Sequence, residues 1–135
     1  MVGPLLSPTC FFAYGTLRRN APMHSLLEAD VRYLGPASYQ ARLLDLGDFP
    51  GVVASESAQD VVVGELFLVR AELVEEVLAR LDRYEGPAFV RREVQVRGED
   101  EGDVLAWVYH YGGDPARGRL VASGDWLDDA ARRLS

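Results

Sequence analysis

The sequence has 135 residues, 21 of them acidic and 14 basic, for a formal charge of −7, with 48% hydrophobic and 26% charged side chains. This fits one domain over residues 1–135, long enough to bury about two-thirds of the surface its unfolded chain exposes. The acidic balance argues against a nucleic-acid surface, which needs clustered cations, and no apolar run approaches the ~20 residues of a membrane span.

In chain order, "MVGPLLSPTC" has no basic region ahead of its apolar residues, so a secretory leader is not expected. Cys10 is the only cysteine, which excludes a disulfide within the chain and makes a reducing cytoplasm the default location. "TCFFAY" (9–14) reads as a buried strand. It stops at Gly15-Thr16, and "PMHSLLEAD" (22–30) follows with Met23, Leu26 and Leu27 at helical spacing and Pro22 suited to a first turn. The stretch from Val31 to Val53 predicts one or two strands broken at Gly35-Pro36, then a turn around Gly47 to Gly51.

"DVVVGELFLV" (60–69) is the clearest strand and is apolar on both faces, with Glu65 as the exception. Such a strand belongs in the middle of a closed sheet or under helices. In "AELVEEVLARLDRYEG" (71–86) the period switches from two to 3.6. Leu73, Val74, Val77, Leu78, Leu81 and Tyr84 form the apolar stripe, with Glu72, Glu75, Glu76, Arg80 and Arg83 toward water. Gly86 and Pro87 stop that helix. "FVRREVQVRG" and "DVLAWVYHY" read as strands paired across the acidic turn "EDEGD", and "SGDWLDDAARRLS" as a short capping segment or helix. The fold class is therefore α+β: a small, mostly antiparallel β-barrel with helices packed outside.

The chemistry starts at Gly15. A glycine between a buried strand and a helix permits a sharp turn, a left-handed backbone and N–H groups aimed into a common space. Such groups suit a carboxylate, a phosphate or a developing oxyanion; a plain turn glycine reads the same way. Glu85 stands at a helix C-terminus, which favours cations. Pointing inward, it would have its pKa raised by burial and by the helix end; pointing outward, it is a solvated glutamate. Glu65 is the other inward candidate; in its strand it reads as an ordinary polar spacer, with a catalytic role as the alternative. His24 and His110 lack metal-ligand spacing, so no metal is expected, and Cys10 reads as core. Every basic residue is arginine, which excludes a lysine Schiff base and a P-loop.

"FAYGTLRRNAPMHSLL", "FPGVV", "VVGELFLV", "LDRYEG", "AWVYHY" and "SGDW" occur in an order that resembles the gamma-glutamylcyclotransferase-like family over roughly residues 11–126. The resemblance is nearest to its gamma-glutamylamine cyclotransferase branch and related small bacterial proteins. It implies a mixed-sheet barrel with peripheral helices, and a glutamyl-binding loop formed by Tyr14, Gly15, Thr16 and Leu17. It further implies Glu85 as the acid/base and Tyr109 as a pocket-lining tyrosine, with Tyr111 left open. Phe89 stands where many members carry a tyrosine, a departure that bears on substrate choice.

The reaction so implied is attack of a γ-glutamyl α-amine on its own γ-carbonyl, giving 5-oxoproline and a free amine or amino acid. No cofactor or metal is called for, and the partner is a small γ-glutamyl molecule rather than a nucleic acid or membrane. The alternative is a non-catalytic module that binds a small carboxylate or peptide end in the same pocket.

Overall fold

A computed structural model of the chain describes residues 9–19, 24–27 and 29–127. Eight strands make one sheet: β1 (Cys10–Ala13), β2 (Val31–Gln40), β3 (Arg42–Asp45), β4 (Pro50–Val53), β5 (Val61–Val69), β6 (Phe89–Gly98), β7 (Gly102–Tyr111) and β8 (Arg119–Leu120). Strands β1–β5–β2–β6–β7 follow one another by antiparallel pairing, and β1 returns to β7 in parallel at Cys10↔Ala106 and Phe11↔Trp107. That last pairing closes the barrel and removes its free edges. β4, β3 and β8 extend the sheet beyond β7.

Closure explains the strand that is apolar on both faces. Successive side chains of a strand point to opposite sides, so Phe12, Val62, Leu66 and Val108 fill the barrel interior. Their neighbours Phe11, Phe67, Trp107 and Tyr109 pack on the outside against the single described α-helix, α1 (Val74–Glu85). Val77 and Leu81 of α1 are fully buried there, and Leu73, Val74, Leu78 and Tyr84 complete the predicted stripe. Arg80, expected toward water, instead reaches Asp30 at 2.7 Å and is only partly exposed.

Three other expectations change in detail. Gly35-Pro36 does not break β2; it produces a bulge, with the register against β5 shifting between Tyr33 and Gly35. The predicted turn from Gly47 to Gly51 is shorter, because Pro50 and Gly51 already pair with Asp45 and Leu44. In the 22–30 segment a 3-10 turn covers His24–Leu26, while Pro22 and Met23 lie outside the described residues. Strand β8 was not foreseen, and residues 128–135 of the closing segment are likewise not described. β6 and β7 pair from Phe89↔Tyr111 to Gly98↔Gly102, across the acidic turn as expected. Among the described residues, no helix is long and apolar enough to cross a membrane.

Candidate functional site

Beside the barrel closure, the end of β1, the loop after it and the end of α1 surround a cavity of about 270 Å³. Tyr14, Gly15, Thr16 and Leu17 form one wall, Tyr84 and Glu85 the second, and Tyr109 the floor. All six positions proposed from the sequence therefore meet in one place. The alternation along β7 puts Tyr109 and Tyr111 on the same side, but only Tyr109 lines the cavity; Tyr111 packs on Phe89 with ring centroids 5.9 Å apart.

Glu85 is the last residue of α1. Burial among aromatic and aliphatic groups raises its carboxyl to about 7. Two causes were expected, but burial is the one that carries the shift. Among the described residues no donor engages its carboxylate, and the residue lines the cavity. Gly86 adopts φ 77° and ψ −175°, a backbone region that favours glycine, and its N–H bonds the Asp82 carbonyl at 3.1 Å. The chain thus leaves the helix immediately after Glu85. Gly86→Ala is expected to cost about 1–3 kcal/mol in urea unfolding through backbone strain alone, since a Cβ there meets open space. A loss below a few tenths would show that this turn is not what fixes the helix end.

The loop is tied on three sides. Thr16 Oγ1 and the Tyr84 hydroxyl are 2.6 Å apart, joining it to α1 one residue before Glu85. The N–H of Arg19 donates to the buried Glu65 carboxylate at 2.6 Å, and His24 Nδ1 donates to the Leu17 carbonyl at 2.9 Å. Arg18 reaches Asp125 at 2.9 Å and lies 3.9 Å from Glu65. Glu65 thus supports the loop from outside the cavity lining. No described residue accepts a hydrogen bond from the N–H groups of Gly15, Thr16 or Leu17.

Gly15 itself requires a correction. Its φ is not in the left-handed range; the positive-φ glycines are 35, 47, 86, 102 and 124. The constraint is space: a Cβ on Gly15 would stand 2.7 Å from Pro50 Cγ and 3.1 Å from Cδ. Tyr14 is also more committed than expected. Its buried hydroxyl donates to the Tyr109 carbonyl at 2.6 Å, binding β1 to β7. Burial, and then the nearby Glu85 charge, hold its pKa above the usual phenol value.

The sequence reading missed three contributors. Phe49 and Pro50 enter from the β3–β4 turn, and only the "FPGVV" fragment hinted at them. Asp82, three residues before Glu85, accepts the Tyr109 hydroxyl proton at 2.5 Å and lies 3.5 Å from Arg91. Burial and this carboxylate both push the Tyr109 pKa well upward, so Tyr109 stays a neutral phenol. Cys10 is buried, and His110 bonds the Tyr39 hydroxyl at 2.8 Å, away from the cavity. Among the described residues, no cluster of His, Cys, Asp and Glu is arranged to hold a metal ion.

A family model described as gamma-glutamyl cyclotransferase, AIG2-like, matches residues 11–128. Among solved structures, the YtfP protein of Escherichia coli is 30% identical, with 90% of this chain and 98% of that chain covered and a TM-score of 0.62. An AIG2-like protein of Mus musculus is 21% identical over 85% and 86% of the two chains, with a TM-score of 0.69. An uncharacterised protein of Pyrococcus horikoshii is 23% identical over 93% and 96%, with a TM-score of 0.68. No match is found among curated proteins.

Proposed function

Because the chain belongs to the gamma-glutamyl cyclotransferase, AIG2-like family, we propose that it cyclises a γ-glutamyl compound, with Glu85 as the group that moves the proton. The observation that carries this reading is one carboxyl, raised by burial to about 7, that shares a cavity with a loop, neither the carboxyl nor the N–H groups of Gly15, Thr16 and Leu17 having a hydrogen-bond partner among the described residues. The substrate's α-nitrogen attacks its own γ-carbonyl carbon, a new C–N bond closes the five-membered ring, and the bond to the departing nitrogen breaks. One proton leaves the α-nitrogen and one is gained by the departing nitrogen. The products are 5-oxoproline and a free amine or amino acid, with no water consumed.

The demands on the protein are modest and specific. Nucleophile and electrophile sit on one molecule, so the main task is to hold the glutamyl chain bent toward ring closure. The N–H groups of Gly15, Thr16 and Leu17 suit the glutamyl carboxylate or the γ-oxyanion as charge builds there. Glu85 can take the α-nitrogen's proton and return it to the leaving nitrogen, a service typically worth about 10²–10⁴ in rate. A pKa of about 7 suits both halves of that task near neutral pH. Tyr109, kept neutral and oriented by Asp82, closes the floor of the site.

The test is the pH dependence of 5-oxoproline release. Glu85 must be ionised to accept a proton, so kcat/KM is expected to fall about tenfold per pH unit below 7 and to level off above it. A flat profile between pH 5.5 and 7 would remove Glu85 from the proton-transfer role.

A further inference from the structure

The part of the cavity lining outside the loop is largely aromatic and reaches past the cavity. Phe49 from the β3–β4 turn and Phe89 from the start of β6 both line the cavity, their ring centroids 5.8 Å apart, and Tyr111 from the end of β7 stacks next to Phe89. Phe49 is 42% exposed, so burial in the core does not account for its place at the tip of a turn. Beyond Phe89 and Tyr109 the surface continues into a shallow depression that includes Pro87 and Val90, the latter 46% exposed. Among the described residues, no arginine lines the inner cavity, and Glu85 is the lining side chain that carries charge near neutral pH. Arg83 and Arg91 line only the outer depression, Arg91 with the Asp82 carboxylate 3.5 Å away.

Resting on the cyclotransferase reading, the geometry points to a substrate whose γ-nitrogen carries an uncharged apolar group, aromatic or branched alkyl, seated on Phe49 and Phe89, with Tyr111 backing Phe89. With the glutamyl end held at the loop and its γ-carbonyl at Glu85, the departing group has this wall beside it. An amino acid there would bring a second carboxylate near the ionised Glu85 and against phenyl rings, with repulsion and desolvation both opposing it. A benzyl or branched alkyl group would instead cover exposed rings and add edge or offset stacking.

The experiment compares kcat/KM for γ-glutamyl benzylamide, γ-glutamyl methylamide and γ-glutamylalanine, and measures binding of the same compounds to the Glu85→Gln protein by calorimetry. The benzylamide is expected to exceed the alanine conjugate by at least about tenfold. Phe49→Ala and Phe89→Ala are each expected to shrink the benzylamide-to-methylamide ratio about three- to tenfold, through KM rather than kcat. Equal or better use of γ-glutamylalanine would overturn the inference, as would variants that slow both amides in the same proportion. Preferential benzylamide binding without any 5-oxoproline from the wild-type protein would keep the apolar subsite and sink the cyclotransferase reading. Formation of 5-oxoproline with no preference among the three would do the reverse.

Discussion

Glu85→Gln is expected to lower the rate of 5-oxoproline formation by about 10²–10⁴ while making the folded protein more stable at neutral pH. The first effect follows from removing the group to which the proposed mechanism gives the proton exchange with both nitrogens. The second follows from the cost of keeping that group where it is. Its folded pKa of about 7 lies above the unfolded value near 4.5, so the folded state holds the proton more tightly. Stability from this residue is therefore complete below about pH 4.5, is lost as pH rises through 7, and stays reduced above it. A neutral amide escapes that loss. At pH 8 the variant should gain roughly 1–3 kcal/mol, tempered by the water the carboxyl still touches, and at pH 4 the two proteins should be nearly equal. Urea unfolding at the two pH values reads this directly. A variant destabilised at pH 8 would mean that the carboxylate has stabilising partners in the fold, contrary to its unpartnered position in the cavity.

The second large effect is expected at Gly15, where even Ala should suffice. A Cβ at 2.7 Å from a proline ring carbon cannot be accommodated in place, and Pro50 is anchored through β4, so it cannot swing aside like a long side chain. The loop must move instead, away from the position in which Thr16 meets Tyr84 and Gly15, Thr16 and Leu17 line the cavity. Gly15→Ala should weaken substrate about tenfold, and Gly15→Val about 100-fold or more, since small misplacements of a positioning element are costly. Calorimetry with a γ-glutamyl amide would measure both. Unchanged affinity in the valine variant would show that the loop does not hold the ligand.

The barrel was legible because its strands carry signals on both faces. The sequence "DVVVGELFLV" reads as apolar everywhere, and only a closed sheet with a helix outside buries Leu66 and Phe67 at once. The helix 74–85 was legible for the complementary reason, a stripe of period 3.6 ended by Gly86. Gly15 and Glu85 could be singled out individually, but a turn glycine and a helix-end glutamate are each ordinary; the ordered fragments of the family pattern joined them. The Phe49–Pro50 wall was not legible, because it depends on β4 being carried beside β7 by a pairing between segments distant in the chain. Asp82 escaped for a similar reason. On the helix it is one more surface acid, and its bond to Tyr109 appears only when α1 lies across β7. The mistaken left-handed backbone at Gly15 shows that sequence can locate a required glycine without telling whether torsion or space demands it.

The ties on the loop bear on how the site would work. Thr16 to Tyr84, Arg19 to Glu65 and His24 to Leu17 fix it to α1, β5 and the following 3-10 turn. Donors held by three separate elements need little rearrangement when charge develops, which is the condition under which such groups lower a barrier most.

The most direct measurement follows one nitrogen. A γ-glutamyl benzylamide labelled with 15N at the α-amine would be incubated with the purified protein and with Glu85→Gln, and the products analysed by mass spectrometry. Intramolecular attack predicts 5-oxoproline that retains the label, together with unlabelled benzylamine, and a near-complete loss of both in the variant. Labelled glutamate in place of 5-oxoproline, or undiminished 5-oxoproline from Glu85→Gln, would contradict the mechanism.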